Sequence, residues 1–176
     1  MDAKDIERRI KKIRLLVLDV DGVLTDGHIV YGDYGDELKY YDVADGLGIQ
    51  LLRKAGIPSV ILSGRKAKMN ARRARDLGVD HVFQGVPDKL EAFARIIRRL
   101  GLHAEEVAAI GDDLPDIPVL SRAGFAVAVQ NAVPDVKKIA HYVTARSGGR
   151  GAVRETADKI LKLQGKWTDV TGSYFS

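Results

Sequence analysis

Seven polar residues of this chain stand where apolar runs of strand length give out. Asp19 and Asp21 follow IRLLVLDV, Ser63 ends PSVILSG, Lys89 comes after DHVFQG, and Asp112, Asp113 and Asp116 follow VAAIG. Crowded carboxylates repel one another and lose their water when buried, so such a set needs a positive partner. In an extended segment residues i and i+2 face the same side, which would put the Asp19 and Asp21 side chains about 7 Å apart and let them bracket a reacting group. Several oxygen ligands with no nearby histidine or cysteine select a hard cation, and Mg²⁺ is the candidate. The four histidines, His28, His81, His103 and His141, are scattered and read as structural or exposed, and the chain has no cysteine.

The elements that would position these residues alternate. IRLLVLDV (13–20) reads as a strand buried on both faces. HIVYG and ELKYY flank the turn signal DYGD and read as a β-hairpin over 28–41. Asp45 is placed to cap a helix through GLGIQLLRKAG, followed by the strand PSVILSG, the helix KAKMNARRARDLG and the short strand DHVFQG. PDKLEAFARIIRRLG is an amphipathic helix with Leu90, Phe93, Ile96, Ile97 and Leu100 on one side. VAAIG, the short helix LPDIPVLSRAG and GFAVAV continue the pattern; HYVT reads as an edge strand, AVRETADKILKLQG as a closing helix, and the tail 166–176 has no periodicity. This predicts one α/β domain, a doubly wound, Rossmann-like parallel sheet with helices on both faces. In such sheets ligands bind beyond the carboxyl ends of the strands, where all seven polar residues would meet.

DVDGVLTDG (19–27), ILSGR (61–65), PDK (87–89) and GDDLPD (111–116) together resemble the four motifs of the haloacid-dehalogenase-like phosphatase superfamily, in order and at the expected strand ends. The resemblance implies that Asp19 is the nucleophile, forming an aspartyl-phosphate, and that Asp21 protonates the leaving alkoxide and then activates water. It implies that Ser63 hydrogen-bonds the phosphoryl group, that Lys89 balances its charge, and that Asp112 ligates Mg²⁺ with the Asp19 carboxylate and the Asp21 backbone carbonyl. Asp116 would orient Lys89 or a metal-bound water, and Asp113 would cap a helix. The intervals between the first and second strands and from Gly64 to Asp88 leave no room for a cap domain.

GDELKYYDVADGLGI, SGRKAKMNARRARDLG, YVTARSGGRGAVRE and LQGK narrow the resemblance to the capless branch acting on the 8-phosphate of an eight-carbon acidic sugar made for lipopolysaccharide. That implies a homotetramer in which hairpin and tail serve neighbouring subunits. It also implies substrate contacts at Asp21, Asp42, Val43, Ala44, Asp45, Gly46, Gln50, Arg65, Arg73 and Lys89. Arginines can grip the sugar carboxylate with paired, charge-assisted hydrogen bonds. GGRGAVRE, with Arg150 and Arg154, reads either as an anion site at a helix start or as a plain helix start. Asp88, where familiar members often carry asparagine, and Pro115 depart from the branch's pattern.

Composition bounds the alternatives. At 176 residues with 45% hydrophobic and 30% charged residues, the chain reads as one globular domain, and its apolar runs are too short for a membrane span. The charged start MDAKDIERRIKKIR has no apolar signal core, so a cytoplasmic enzyme is expected. The net charge of +4 suits an anionic partner, and RKAKMNARRAR (65–75) is either a solvated helix face or an anion-binding surface. The rival readings are a phosphatase for a nine-carbon ketodeoxy sugar phosphate or broad sugar phosphates, a receiver-like signalling module, and a nucleic-acid binder using 65–75. Receivers put their acceptor aspartate after the third strand, where this chain has Gln84 and Gly85, and no aromatics interleave the basic run.

Overall fold

The computed structural model describes residues 2–79 and 81–175, so Asp80, at the start of the third expected strand, and Ser176, at the end of the tail, lie outside it. The strands are β1 (Leu15–Leu18), β2 (Val30–Tyr31), β3 (Glu37–Leu38), β4 (Ser59–Leu62), β5 (His81–Phe83), β6 (Val107–Gly111), β7 (Phe125–Ala128) and β8 (Tyr142–Val143). The α-helices are α1 (Ala3–Ile10), α2 (Val43–Lys54), α3 (Lys68–Leu77), α4 (Lys89–Leu100), α5 (Ile117–Leu120), α6 (Pro134–Ile139), α7 (Ala152–Leu163) and α8 (Trp167–Thr171).

LLVL, SVIL, VAAIG and FAVA are buried at every position, as strands covered on both faces must be. They form the centre of a six-stranded sheet in the order β5-β4-β1-β6-β7-β8, with every pairing parallel. The chain winds outward from β1 through β4 to β5, then returns to β6 on the other side of β1 and winds outward again. The strand order therefore reverses between β1 and β6, where Leu18 stands level with Ile110, and a crevice opens beyond that point. α2 packs on α7 with α1, α3 and α8 on one face of the sheet, while α4, α5 and α6 associate on the other. The largest side chains sealed between the layers are Phe93 of α4 and Phe125 of β7.

Local chemistry sets the helix starts. Asp88 accepts from the backbone N–H groups of Leu90 (2.9 Å) and Glu91 (3.0 Å), which starts α4 at Lys89. Asp42, not Asp45, caps α2: its carboxylate accepts from Ala44 N at 2.7 Å, and the helix begins three residues earlier than expected. Asp45 lies in the first turn, buried, with its oxygens turned to Gly151 N (3.3 Å) and Arg154 N (2.8 Å) at the start of α7. The GGRG segment therefore begins a helix whose Gly151 and Arg154 N–H groups are already met by Asp45. Arg150 pairs with Asp26 and Arg154 with Asp158, contacts in keeping with a plain helix start.

Three helices had no sequence signal. α1 buries only Ile10 among charged residues, α6 has six residues, and α8 has five. The tail is consequently not loose through its first half. Val170 and Thr171 are buried, and Lys54 Nζ donates to Val170 O at 2.9 Å, whereas Tyr174 and Phe175 are exposed. The hairpin is present but short, with Val30 opposite Leu38 and Tyr31 opposite Glu37.

Candidate active site

The crevice beyond β1 and β6 holds a cluster of three carboxylates and one ammonium. Lys89, the first residue of α4, places Nζ 2.8 Å from Asp19 Oδ1 and 2.7 Å from Asp116 Oδ1. The other oxygen of Asp116 accepts from the backbone N–H of Asp112 (3.0 Å) and of Asp113 (3.3 Å), so Asp116 is spent on holding Lys89 and the loop after β6. Asp113 accepts from Leu114 N at 2.7 Å, the capping part expected of it. Asp112 contributes the feature that calls for a ligand: its Oδ1 is buried and has no hydrogen-bond partner. One carboxylate oxygen each from Asp19, Asp112 and Asp116 lies within 4.8 Å of the others.

The electrostatics agree. Burial, followed by the charges of Asp19, Asp116 and Asp113, pushes the Asp112 carboxyl up to about 8. Burial and the Asp116 charge likewise raise Asp19, with Lys89 pulling the other way. Burial works against the Lys89 ammonium, but the charges of Asp19 and Asp116 outweigh it and hold its pKa above the usual lysine value. One ammonium against three carboxylates leaves two negative charges, which a divalent cation matches. Asp19 and Asp112 fit such an ion, because Asp112 has an open oxygen and Asp19 has Oδ2 beyond its bond to Lys89.

The loop carrying the motif aspartates is wound tightly. The extended course expected through Asp19 to Asp21 does not form: β1 ends at Leu18, and the N–H groups of Val23, Leu24 and Thr25 all converge on Val20 O. Asp19 and Asp21 thus sit on a turn and engage different cations. Thr25 is sealed inside the turn; its hydroxyl donates to Val20 O and accepts from Gly22 N and Gly27 N, each at 3.3 Å. Gly22 has φ +90°, and a Cβ there would lie 2.1 Å from Asp112 Oδ2. The turn is braced from outside by the SGGRG segment: Gly149 N donates to Val23 O at 2.9 Å, and a Cβ on Gly148 would fall 1.7 Å from Gly22 O. Gly22→Ala therefore combines about 1–2 kcal/mol of backbone strain with a displaced Asp112. We expect kcat/KM to fall by about 100-fold while the fold persists, as read by phosphate release alongside a thermal melt.

The second group of expected residues gathers around Asp21 under the hairpin. Lys39 Nζ lies 2.6 Å from Asp21 Oδ1 with its side chain fully buried, a residue that the sequence reading passed over. Arg65 Nε stands 3.7 Å from Asp21 Oδ2, and its guanidinium reaches Tyr31 Oη (3.3 Å) and Glu37 (3.4 Å). Ser63, just past β4, is buried and accepts from Arg65 N at 3.3 Å. Arg73 lies over the Tyr41 ring and donates to Asp42 O at 2.9 Å, while its Nε is buried without a partner. Val43 is 81% exposed, Gly46 is buried under Arg73 and Leu77, and Ala44 is half-buried. Gln50 is set apart, lining a shallow depression with Arg53, Lys54 and the end of α3. The structure thus joins Asp21, Ser63 and Arg65 in one region and Asp19, Lys89 and Asp112 in the other; Asp45 and Gln50 face elsewhere within the chain.

A doubly wound parallel sheet that delivers these groups to its switch point is the architecture of the haloacid dehalogenase-like hydrolases, and the sequence profile of that description matches residues 81–154. The 3-deoxy-D-manno-octulosonate 8-phosphate phosphatase KdsC of Yersinia pestis is 48% identical over 170 residues, 97% of this chain and 91% of that protein. A crystal structure of the corresponding phosphatase from Moraxella catarrhalis, in complex with a magnesium ion, a phosphate ion and a KDO molecule, matches with a TM-score of 0.95 at 40% identity, covering 99% of this chain and 100% of that one. The cobalt-bound form of the enzyme from Haemophilus influenzae matches with a TM-score of 0.89 at 39% identity over 95% and 98% of the two chains. The chain belongs to the 3-deoxy-D-manno-octulosonate 8-phosphate phosphatase family, a sugar-phosphate phosphatase group within the haloacid dehalogenase-like hydrolases. Like the matched structures it follows, it is an α/β fold with no cap domain over the sheet.

Proposed function

We propose that this enzyme hydrolyses 3-deoxy-D-manno-octulosonate 8-phosphate to the free sugar acid and phosphate, using Mg²⁺ and an aspartyl-phosphate on Asp19. The observation that carries the reading is the Asp19–Lys89–Asp116 chain beside the open oxygen of Asp112. The Moraxella relative with magnesium, phosphate and KDO bound supports the choice of ligands.

Lys89 holds Oδ1 of Asp19 and so orients the carboxylate for attack on phosphorus, while its charge offsets that gathering on the phosphoryl oxygens. Asp21 gives its proton to the departing sugar oxygen, then takes one from the water that cleaves the aspartyl-phosphate. The Ser63 hydroxyl is offered to the phosphoryl group from the end of β4, and Arg65 and Arg73 stand toward the sugar acid's carboxylate. Mg²⁺, held by the carboxylates of Asp19 and Asp112 and by the Asp21 backbone carbonyl, would supply charge neutralisation and orientation of the phosphate.

Among the described residues no helix is long and apolar enough to cross a membrane. We place the reaction in the cytoplasm, as a supply of sugar acid for lipopolysaccharide. A panel of six-, eight- and nine-carbon sugar phosphates, assayed for phosphate release with and without chelator, tests the substrate. The eight-carbon ester should lead in kcat/KM by about tenfold or more, and only with metal present. Equal values across the panel would defeat the assignment.

The bare site also bears on assembly. Val30, Leu38 and Tyr40 form an exposed apolar face on the hairpin, with Tyr34 at its turn 99% exposed and Val43 exposed at its stem. Soluble single chains seldom leave such a patch wet. We infer a homo-oligomer, the tetramer of the sequence reading, assembled through this face. Leu38→Glu should reduce the assembly state in light scattering and raise KM; an unchanged oligomer would remove the hairpin from the interface.

A further inference from the structure

Lys39 belongs to the hairpin, yet its side chain has no exposed surface. Its ammonium donates to Asp21 Oδ1 at 2.6 Å and to Asn70 Oδ1 at 3.2 Å, and it stands 3.3 Å from Glu37 Oε1 as an ion pair without a hydrogen bond. Asn70 is itself sealed inside α3, and its Oδ1 also accepts from Tyr41 Oη at 3.1 Å. The chain of contacts runs Tyr41, Asn70, Lys39, Asp21, and it ends on only one of the two Asp21 oxygens. The other, Oδ2, is buried with no hydrogen-bond partner.

We propose that Lys39 is a positioning residue that clamps Oδ1 of Asp21, so that Oδ2 alone exchanges the proton with the leaving group and then with water. This rests on the reading of Asp21 as acid and base given above. A simple fastener for the hairpin would not need a buried ammonium, which is costly to desolvate. Other ties already hold it: the bridge between Thr25 and Tyr41, and Arg65 on Tyr31 and Glu37. A carboxylate on a turn is free to rotate about χ2 and to present either oxygen; a short ion pair to one oxygen removes that freedom.

The proton balance is explicit. In the first half the Asp19–phosphorus bond forms and the phosphorus–oxygen bond to the sugar breaks, and the proton on Asp21 Oδ2 passes to the sugar oxygen. In the second half the water–phosphorus bond forms and the Asp19–phosphorus bond breaks, and a water proton passes to Asp21 Oδ2. Lys39 keeps its three protons throughout.

The test separates the two halves with p-nitrophenyl phosphate, whose aryloxide departs without an acid. With Mg²⁺ present, Lys39→Met should release a rapid burst of about one nitrophenolate per chain and then turn over about 100-fold more slowly than the unaltered enzyme. With the sugar phosphate there should be no burst, and kcat should fall by about 100-fold with KM nearly unchanged. Because the chain has no cysteine, Lys39→Cys alkylated with 2-bromoethylamine rebuilds an ammonium at that position alone. Alkylating the unfolded Lys39→Cys chain before refolding keeps the test open if Lys39→Met does not fold. Turnover should return by about tenfold or more on alkylation. Burst and steady state falling together, steady-state turnover left intact, or a rebuilt ammonium without recovery would each overturn the proposal. Asp21→Asn separates it from its premise. A fully active Asp21→Asn enzyme removes the acid–base reading, whereas an inactive one beside an active Lys39→Met enzyme removes only the role of Lys39.

Discussion

Asp19→Asn is expected to lower kcat by about four orders of magnitude or more with little change in fold. The substitution keeps an oxygen that can accept from Lys89 Nζ, now 2.8 Å away, and Lys89 retains its 2.7 Å bond to Asp116. What disappears is the charged oxygen that bonds to phosphorus, because an amide oxygen is a poor nucleophile. Rapid quenching followed by intact-mass measurement should show one added phosphoryl group on the unaltered chain and none on the variant. Steady-state turnover within tenfold of the unaltered enzyme would exclude a covalent route through Asp19. The comparison is clean because burial and Asp116 already raise Asp19, so deleting its charge relieves repulsion within the cluster.

The cluster at β1 and β6 was readable because Asp19 and Asp112 directly follow buried strands, and Lys89 and Asp116 come within a few residues of strand ends. A parallel sheet sends all such ends to one edge, so Asp19, Lys89, Asp112 and Asp116 had to meet whatever the helices did. Asp21 was less readable. Its motif position was evident, but the turn closing on Val20 O is a backbone event with no apolar period, and the turn decides that Asp21 faces the hairpin rather than Lys89. Lys39 illustrates the limit of pattern reasoning. In ELKYY the alternation is plain, and a strand with one wet face normally turns its apolar side inward. Here Glu37, Lys39 and Tyr41 point to the site, while Leu38 and Tyr40 point to solvent.

Tertiary contacts decided other details. Asp42 and Asp45 are equally good caps on paper, and only the start of α7, lying against Asp45, assigns the cap to Asp42. The same contact occupies the Gly151 and Arg154 N–H groups at the helix start that follows GGRG. That segment instead presses two glycines against the turn of Gly22 to Asp26, a role visible only as a close approach of backbones. α1 and α8 escaped notice because five to eight residues with one or two buried positions give no measurable period.

Metal removal should produce the second large effect, and Asp112 sets its pH dependence. In the metal-free fold this carboxyl stands at about 8 against 3.8 in the reference state, so the folded chain binds more protons than the unfolded one between those values. By linkage the stability of the metal-free protein falls as pH rises from about 4 to about 8. A divalent cation requires the ionised form, so its binding below about pH 8 displaces a proton, and its affinity should climb by up to about tenfold per pH unit before levelling. Thermal melts between pH 5 and 9, with EDTA or with Mg²⁺, should therefore diverge as pH increases, the metal-bound protein staying level while the metal-free protein declines. Asp112→Asn removes the titrating group and the open oxygen together. It should abolish the divergence, make the metal-free curve shallower by leaving only the raised Asp19 to titrate, and cut kcat at saturating Mg²⁺ by about 1000-fold. If Mg²⁺ still raised the melting temperature of Asp112→Asn as much as that of the unaltered chain, the cation would have to be held elsewhere, and the two uncompensated charges of the Asp19–Lys89–Asp116–Asp112 cluster would need another partner.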